Sequence, residues 1–407
     1  MSGDPLAGES LSTSISIGLR PTAIIALGLL QAIWPLAMDM YLPALPAIGR
    51  EFGVSNAVVQ ATVVTAFIGM ALGQIVAGPA SDRWGRGRIL VPALVLFVVA
   101  SLISAVAPTI EVLVFARFLQ GAAASSCAVL AMAISRDVSS GVGMVRLLAR
   151  MQLVNTVLVV SAPLFGAAVL AIADWRDVFL ALAAIGSLAV ISTAFAKSSL
   201  LVESAAAQEA PSASPRAWIV LGGIVGSALV WGATMMYLTS SAFIYRSLGF
   251  APGGFALLMA GHSVSVLVGV QIGRALSGRG GLTFAIRIGS ICVIASSIGF
   301  LLLAVFQVQL FAAGALVFTM SFGMISPTLV AVIMSSFHSK AGTLASVLGT
   351  ANVLMAAILG ILAAISLTPQ SLALLVVGCA VAAGITINVS LTSLGGTAQA
   401  SAGKSRS

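Results

Sequence analysis

Twelve stretches of this chain are apolar over about the length a helix needs to cross a bilayer, at approximately 22–48, 57–78, 89–108, 111–133, 147–172, 178–196, 217–245, 254–276, 284–305, 308–334, 342–366 and 371–393. Hydrocarbon offers a backbone no hydrogen-bonding partner, so such stretches fold as helices that satisfy their own N–H and C=O groups. Composition agrees. Of 407 residues, 59% are hydrophobic and 7% charged, and the mean hydropathy is +1.14. A soluble domain carries roughly 25% charged residues, because most of its surface faces water. The expected fold class is therefore all-α integral membrane with twelve transmembrane helices. Soluble multidomain enzymes and nucleic-acid binders are excluded. The net charge of +8 comes without the basic blocks a nucleic-acid partner would need, and is read as positive loops on one membrane face.

Twelve crossings put both termini on one side. With that side taken as cytoplasmic, fifteen of the nineteen Lys and Arg residues fall inside, and three, Arg50, Arg176 and Arg246, fall outside. A missed or invented crossing would invert every later loop and destroy this asymmetry. The first and tenth runs are long enough to tilt or kink. The first sixteen residues lack a basic region followed by a short apolar stretch, so no removable signal peptide is read there. Cys127, Cys292 and Cys379 lie in apolar stretches without pairing or metal spacing, and read as small core residues.

The chain divides into a tail at 1–21, six crossings over 22–196, a linker rich in Ala, Ser, Pro and Glu at 197–216, six more crossings over 217–393, and a second tail at 394–407. The first and seventh crossings share a fragment, Trp34-Pro-Leu-Ala-Met-Asp-Met-Tyr-Leu42 against Trp231-Gly-Ala-Thr-Met-Met-Tyr-Leu238, aligned by one gap at Asp39. This fits two six-helix halves related by an axis along the membrane normal, with a site between them near the midplane.

An ionisable side chain at bilayer depth costs about 2.5–3.5 kcal/mol or more, so its presence asks for a reason. Three stand well inside the expected spans: Asp39, Arg117 and His262. The depths of Asp39 and Arg117 are similar, which permits a direct or water-bridged pairing. Burial favours the neutral acid and a nearby arginine favours the carboxylate. An acid under opposed influences of this kind changes protonation when its surroundings change, as proton-coupled transport requires; a structural ion pair is the competing reading. Gln31 lies about two helical turns before Asp39 on the same face. Trp34, Tyr41, Trp231, Met235 and Tyr237 offer an aromatic and thioether surface near the interface of the halves, in competition with plain packing. Asn155, Gln271 and Asn352 are polar residues that either line a cavity or hold helices together, and His262 reads first as a hydrogen-bonded bundle residue.

Between the second and third crossings runs Gly78-Pro-Ala-Ser-Asp82-Arg83-Trp84-Gly85-Arg86-Gly87-Arg88. An acid followed by arginines is able to cluster with a neighbouring helix end and so favour one arrangement of the halves. This stretch resembles the signature loop of the major facilitator superfamily, G-x-x-x-D-R-x-G-R-[RK], through Gly78, Asp82, Arg83, Gly85 and Arg86, with Gly87 in place of a basic residue and Arg88 after it. Met38 to Pro46 is similar to the first-span motif of the bicyclomycin/chloramphenicol resistance (Bcr/CflA) family of drug:proton antiporters. Arg117-Phe-Leu-Gln120-Gly121 resembles the fourth-span R-x-x-Q-G motif, whose arginine is implicated in proton transfer, and Ala341 to Gly349 resembles that family's A-G-T-A-S-x-L-G stretch with Leu344 inserted. The fifth-span antiporter motif is degraded, keeping Pro163 and Gly166.

The resemblance implies a proton-coupled antiporter exporting small amphipathic compounds or antibiotics by alternating access, from a bacterial inner membrane, as a monomer driven by the proton gradient without a cofactor. Asp39 and Arg117 would couple protons. Gln31, Trp34, Tyr41, Gln120, Asn155, Trp231, Met235, Tyr237 and His262 would line the substrate cavity, while Gly78, Asp82, Arg83, Gly85, Arg86, Arg88, Pro163 and Gly166 would form the conformational gate. The alternative is a metabolite uptake symporter of the same fold. A membrane enzyme is disfavoured, since no cluster of acids, histidines or metal ligands stands at depth.

Overall fold

The structure is a computed structural model that describes residues 21–138, 141–200, 217–306, 310–335, 341–365 and 368–404. The expected first tail up to residue 20, the linker from 201 to 216 and the last three residues lie outside this description, as do Arg20, Arg216, Lys340 and Arg406. All regular elements among the described residues are helices, and eleven of the resulting segments are long and apolar enough to cross a membrane.

The first crossing is built from α1 (Pro21–Asp39), a 3-10 turn at Leu42–Ala44, and α2 (Leu45–Phe52). Then follow α3 (Asn56–Trp84), α4 (Arg86–Ala105), α5 (Ile110–Val138), α6 (Gly141–Ile172) and α7 (Trp175–Leu200). The second half holds α8 (Ala217–Ser247), α9 (Pro252–Phe306), α10 (Phe311–Ser335), α11 (Ala341–Ile365) and α12 (Pro369–Lys404), the last running past the end of its apolar stretch. At 55 residues α9 would be about 82 Å long if straight, far more than the ~30 Å hydrocarbon core. Gly281 breaks it at φ 79°, ψ 172°, a conformation open to glycine because it lacks Cβ. The two arms of α9 are the expected eighth and ninth crossings, which brings the bundle to twelve.

Proline explains the break in the first crossing. Pro43 and Pro46 carry no N–H, so neither returns a helical hydrogen bond to the carbonyls of Asp39 and Leu42, four residues earlier. The backbone tightens instead: Tyr41 N–H donates to Met38 O (3.1 Å) and Ala44 N–H to Tyr41 O (2.9 Å). Asp39 is thereby the last residue of α1.

Each half is organised by one close helix crossing. In the first, a Cβ added at Gly69 or Gly73 of α3 would collide with the carbonyls of Phe118 and Ala122 on α5, and one at Gly121 with that of Ala66. Two hundred residues on, Gly269 and Gly273 of α9 meet the carbonyls of Met320 and Met324 on α10, and Gly323 meets that of Val266. Small residues spaced four apart let the backbones touch, which is how helices associate where lipid removes the hydrophobic drive.

The halves face each other through α3 and α11, α6 and α9, and α2 and α8. Near the bundle end opposite the Gly78–Arg88 loop, Gln60 Nε2 donates to Ser240 Oγ at 3.0 Å, with both side chains buried. Deeper in, Trp34, Phe67 and Trp231 form an edge-linked aromatic row across the interface, with centroids 5.5 and 6.1 Å apart.

Candidate functional site

The break after Asp39 is the centre of the first half's chemistry. Asp39 is half-buried and has no hydrogen-bond or ion-pair partner among the described residues. A carboxyl group placed so is satisfied by water or by a proton. Its surroundings are otherwise tightly built. Gly166 of α6 lies directly on the backbone of Met40, where a Cβ would strike the Met40 carbonyl, and Pro163 is buried one turn earlier. The degraded fifth-span motif thus keeps the glycine that packs α6 against the α1 break, with a buried proline beside it.

Arg117 does not reach for the acid. Its Nη1 donates to Ala37 O (3.3 Å) and to Gln120 Oε1, and its Nη2 lies 3.0 Å from Met38 Sδ. The guanidinium stacks 4.3 Å above the Tyr41 ring, a cation–π contact in a dry environment, and Nε is left without a partner. Gln120 Nε2 passes the chain on to Ser101 Oγ (2.7 Å), and Tyr41 OH pairs with Thr62 Oγ1 (2.6 Å). The pairing of Asp39 with Arg117 that similar depth permits is replaced by a neutral set: two carbonyl oxygens, a thioether and a phenol ring. Arg117 is 1% exposed and pins the last turn of α1 to α5 through backbone and side-chain contacts on both sides of Asp39. Tyr41 and Gln120 are buried parts of this network.

Other expected cavity residues divide by exposure. Gln31, Trp34, Asn155, Trp231 and Met235 are half-buried on α1, α6 and α8. Tyr237 is buried, bonded to Tyr245 through their hydroxyls (3.1 Å), and its ring centre lies 6.2 Å from that of His262. His262 Nδ1 is buried without a partner, as are Asn155 Oδ1, Gln74 Oε1 and Thr350 Oγ1. Gln271 is exposed, and Asn352 accepts from Ser227 Oγ (3.2 Å), holding α8 to α11. Gln74 and Thr350 carried no signal beyond being polar residues in apolar runs.

At the loop end, Arg86 joins Asp82, one turn before it, to Asp137 at the end of α5. Nε donates to Asp137 Oδ2 at 2.9 Å, and Nη1 to Ser81 Oγ at 2.6 Å and to the Asp82 carboxylate. Gly85 turns the chain between α3 and α4 at φ 93°. Asp82, Arg83 and Arg88 are exposed, and Arg83 lies 5.7 Å from the Trp84 ring centre; Gly78 is half-buried. The loop does form a charge cluster with a neighbouring helix end. Asp137 is the residue the sequence reading missed, although an acid closing the fourth span beside a basic loop was visible.

Three comparisons bear on what this arrangement is. The profile described as Major Facilitator Superfamily matches residues 27–361, most of the chain. The chain belongs to the major facilitator superfamily. It is a multi-pass membrane protein of that family. Among similar proteins, the "Uncharacterized MFS-type transporter YdgK" of Bacillus subtilis (strain 168) is 32% identical over 60% of this chain and 63% of its own length. The "Multidrug resistance protein MdtL" of Escherichia coli (strain K12 / DH10B) is 29% identical over 57% of this chain and 60% of its own. The match thus spans about three fifths of the length of these relatives. Among solved structures, a D-xylose-proton symporter superposes with a TM-score of 0.71 at 14% identity, covering 91% of this chain and 96% of its own. A bacterial homologue of the human lysosomal transporter Spinster, inward-facing and occupied, gives 0.69 at 15% identity over 92% and 96%. At such identities they share the superfamily's fold with this chain.

Proposed function

We propose that this transporter exchanges protons for small amphipathic compounds and exports them by alternating access, as multidrug, chloramphenicol or bicyclomycin-type efflux does, from a bacterial inner membrane with both termini cytoplasmic. The observation that carries the reading is the unpaired carboxyl group of Asp39, held at a proline-made helix end in the first half. An acid locked in an ion pair would be a poor proton carrier. One whose guanidinium neighbour is engaged elsewhere is free to gain and lose its proton. The multidrug relatives and the resemblance of Met38 to Pro46 and of Arg117 to Gly121 to drug:proton antiporter motifs support the export direction.

In this mechanism Asp39 takes up a proton when the cavity opens outward, and compound binding weakens. The halves then rock about the interface, Asp39 releases the proton inward, and compound binds. Trp34 and Trp231 supply flat apolar contact from both halves, and Asn155 Oδ1 and His262 Nδ1 supply hydrogen bonds that the protein itself leaves unused. Arg117 positions the end of α1. The membrane potential contributes about 2.3 kcal/mol per charge per 100 mV, and at about 1.4 kcal/mol per tenfold one proton sustains a gradient on the order of 50-fold. The transporter acts as a single copy without a cofactor, on protons and a small molecule.

The test is a drug-susceptibility panel in a pump-deficient host, wild type against Asp39→Asn, with transport in everted vesicles under an imposed pH gradient. Resistance lost in the variant, with proton-driven uptake into everted vesicles by the wild type, supports the proposal. Proton-driven movement in the opposite direction would make the protein an uptake symporter.

A further inference from the structure

At the bundle end opposite the Gly78–Arg88 loop, a cleft of about 430 Å³ lies between the halves, lined by Pro46, Gly49, Arg50 and Asn56 of the first half and by Arg246 and Ser247 of the second. Both arginines are exposed, and neither has an ion-pair partner among the described residues. Each stands in the last turn of its helix, α2 or α8, where the helix dipole favours a cation. That accounts for one arginine per helix and not for two converging on one cleft.

The acids that would neutralise them are missing or occupied. Every Asp and Glu of the chain lies at or before Glu209, so the second half offers Arg246 none of its own. Glu51, next to Arg50, is taken by Trp175 Nε1 and by Arg176, which also reaches Asp174 (3.6 Å) and Ala107 O (3.3 Å). Two like charges therefore meet across a joint that closes whenever this end of the transporter is shut. Their repulsion works against the Gln60–Ser240 contact nearby, unless an anion sits between them.

We propose that this cleft is an anion site, taking a phosphate-type group between Arg50 and Arg246, with the Asn56 amide as a neutral donor. An occupied site would hold the two halves together at this end, so the anion favours the conformation closed here. Guanidinium groups bind phosphate oxygens through paired N–H donors, and two of them from different halves select an anion with several acceptor oxygens. The same chemistry is presented by a free phosphate and by the headgroup of an anionic phospholipid. The inference does not depend on which compound is carried or in which direction.

The test places spin labels at Thr109→Cys and Thr368→Cys, exposed positions in far-end connections of the two halves, with the three native cysteines replaced by serine. Label-to-label distances are measured in nanodiscs of neutral phosphatidylcholine, alone, with inorganic phosphate, and with phosphatidylglycerol added. The wild type is expected to shift toward the short distance with phosphate, with phosphatidylglycerol, or with both. A shift with phosphate in neutral lipid identifies a free anion as sufficient, and one confined to phosphatidylglycerol identifies the headgroup. Arg50→Gln with Arg246→Gln should weaken the response at least tenfold in anion concentration, as expected for losing charge-assisted hydrogen bonds. Arg246→Glu is the second arm: it pairs with Arg50 directly and should hold the short distance with neither anion present. No shift in the wild type, an undiminished shift in the double glutamine variant, or an Arg246→Glu protein that still needs anion to close would each overturn the proposal.

Discussion

The two halves share a scaffold and divide the chemistry. Gly69, Gly73 and Gly121 in the first, and Gly269, Gly273 and Gly323 in the second, make the same backbone-to-backbone crossing. Yet Asp39, Arg117 and the Asp82–Arg86–Asp137 cluster all belong to the first half, and the second contains no acid. The fragment shared by the first and seventh crossings aligns except where Asp39 stands. In the α5–α10 correspondence the partner of Arg117 is Thr319, which bonds only to Leu316 O of its own helix (3.1 Å). The close helix packing is thus repeated in both halves, whereas of the two only the first holds acids and their ion pairs. The second half carries basic residues and no acid.

Changes to the shared scaffold should have the largest effects and should strike both halves alike. Gly121→Leu and Gly323→Leu each force a side chain into a backbone contact, at a cost of about 3 kcal/mol or more. Thermal unfolding in detergent should show both variants strongly destabilised; a stable Gly323→Leu protein would break the equivalence of the crossings. Arg117→Lys against Thr319→Val sharpens the chemical difference. Lysine lacks the fork that joins Ala37 O, Gln120 and the Tyr41 ring, so transport should fall at least tenfold, about 1.4 kcal/mol. Thr319→Val should leave transport within twofold.

A smaller effect belongs to the loop clusters. Asp137→Asn weakens a charge-assisted, partly buried bond from Arg86 and should shift the balance between conformations by about 1–2 kcal/mol, read as a change in label distances at that end. Arg279→Gln, exposed on α9 beside the Gly281 break in the half that lacks acids, should change nothing measurable. Gln60→Ala removes one neutral bond to Ser240 and should ease opening at the far end by about 1 kcal/mol, the smallest of the changes expected to be measurable.

Much of this was legible in the sequence because it depends on hydropathy and backbone chemistry. Twelve apolar runs became twelve crossings, and the length of the first run allowed the kink that Pro43 and Pro46 make in it. The loop cluster was legible in kind, since Asp82 and Arg86 are one turn apart, while its third member, Asp137, comes from a helix about fifty residues away. The glycine crossings were written as paired G-x-x-x-G spacings at 69–73 and 269–273, and became meaningful once the facing carbonyls were known. The partner of Arg117 was beyond sequence. Similar depth permits several neighbours, and the packing of α1 against α5 delivered Ala37 O, Met38 and Tyr41 instead of Asp39. The same holds for Gln60 and Ser240, which 180 positions separate and an interface unites.

The most direct measurement is proton release on binding. Purified transporter in weakly buffered detergent is mixed with an exported compound, and protons are counted with a pH indicator, wild type beside Asp39→Asn. The account predicts about one proton released per compound bound by the wild type and none by the variant, which still binds. Equal release by both proteins would contradict it, because the exchangeable proton would then reside on some group other than Asp39.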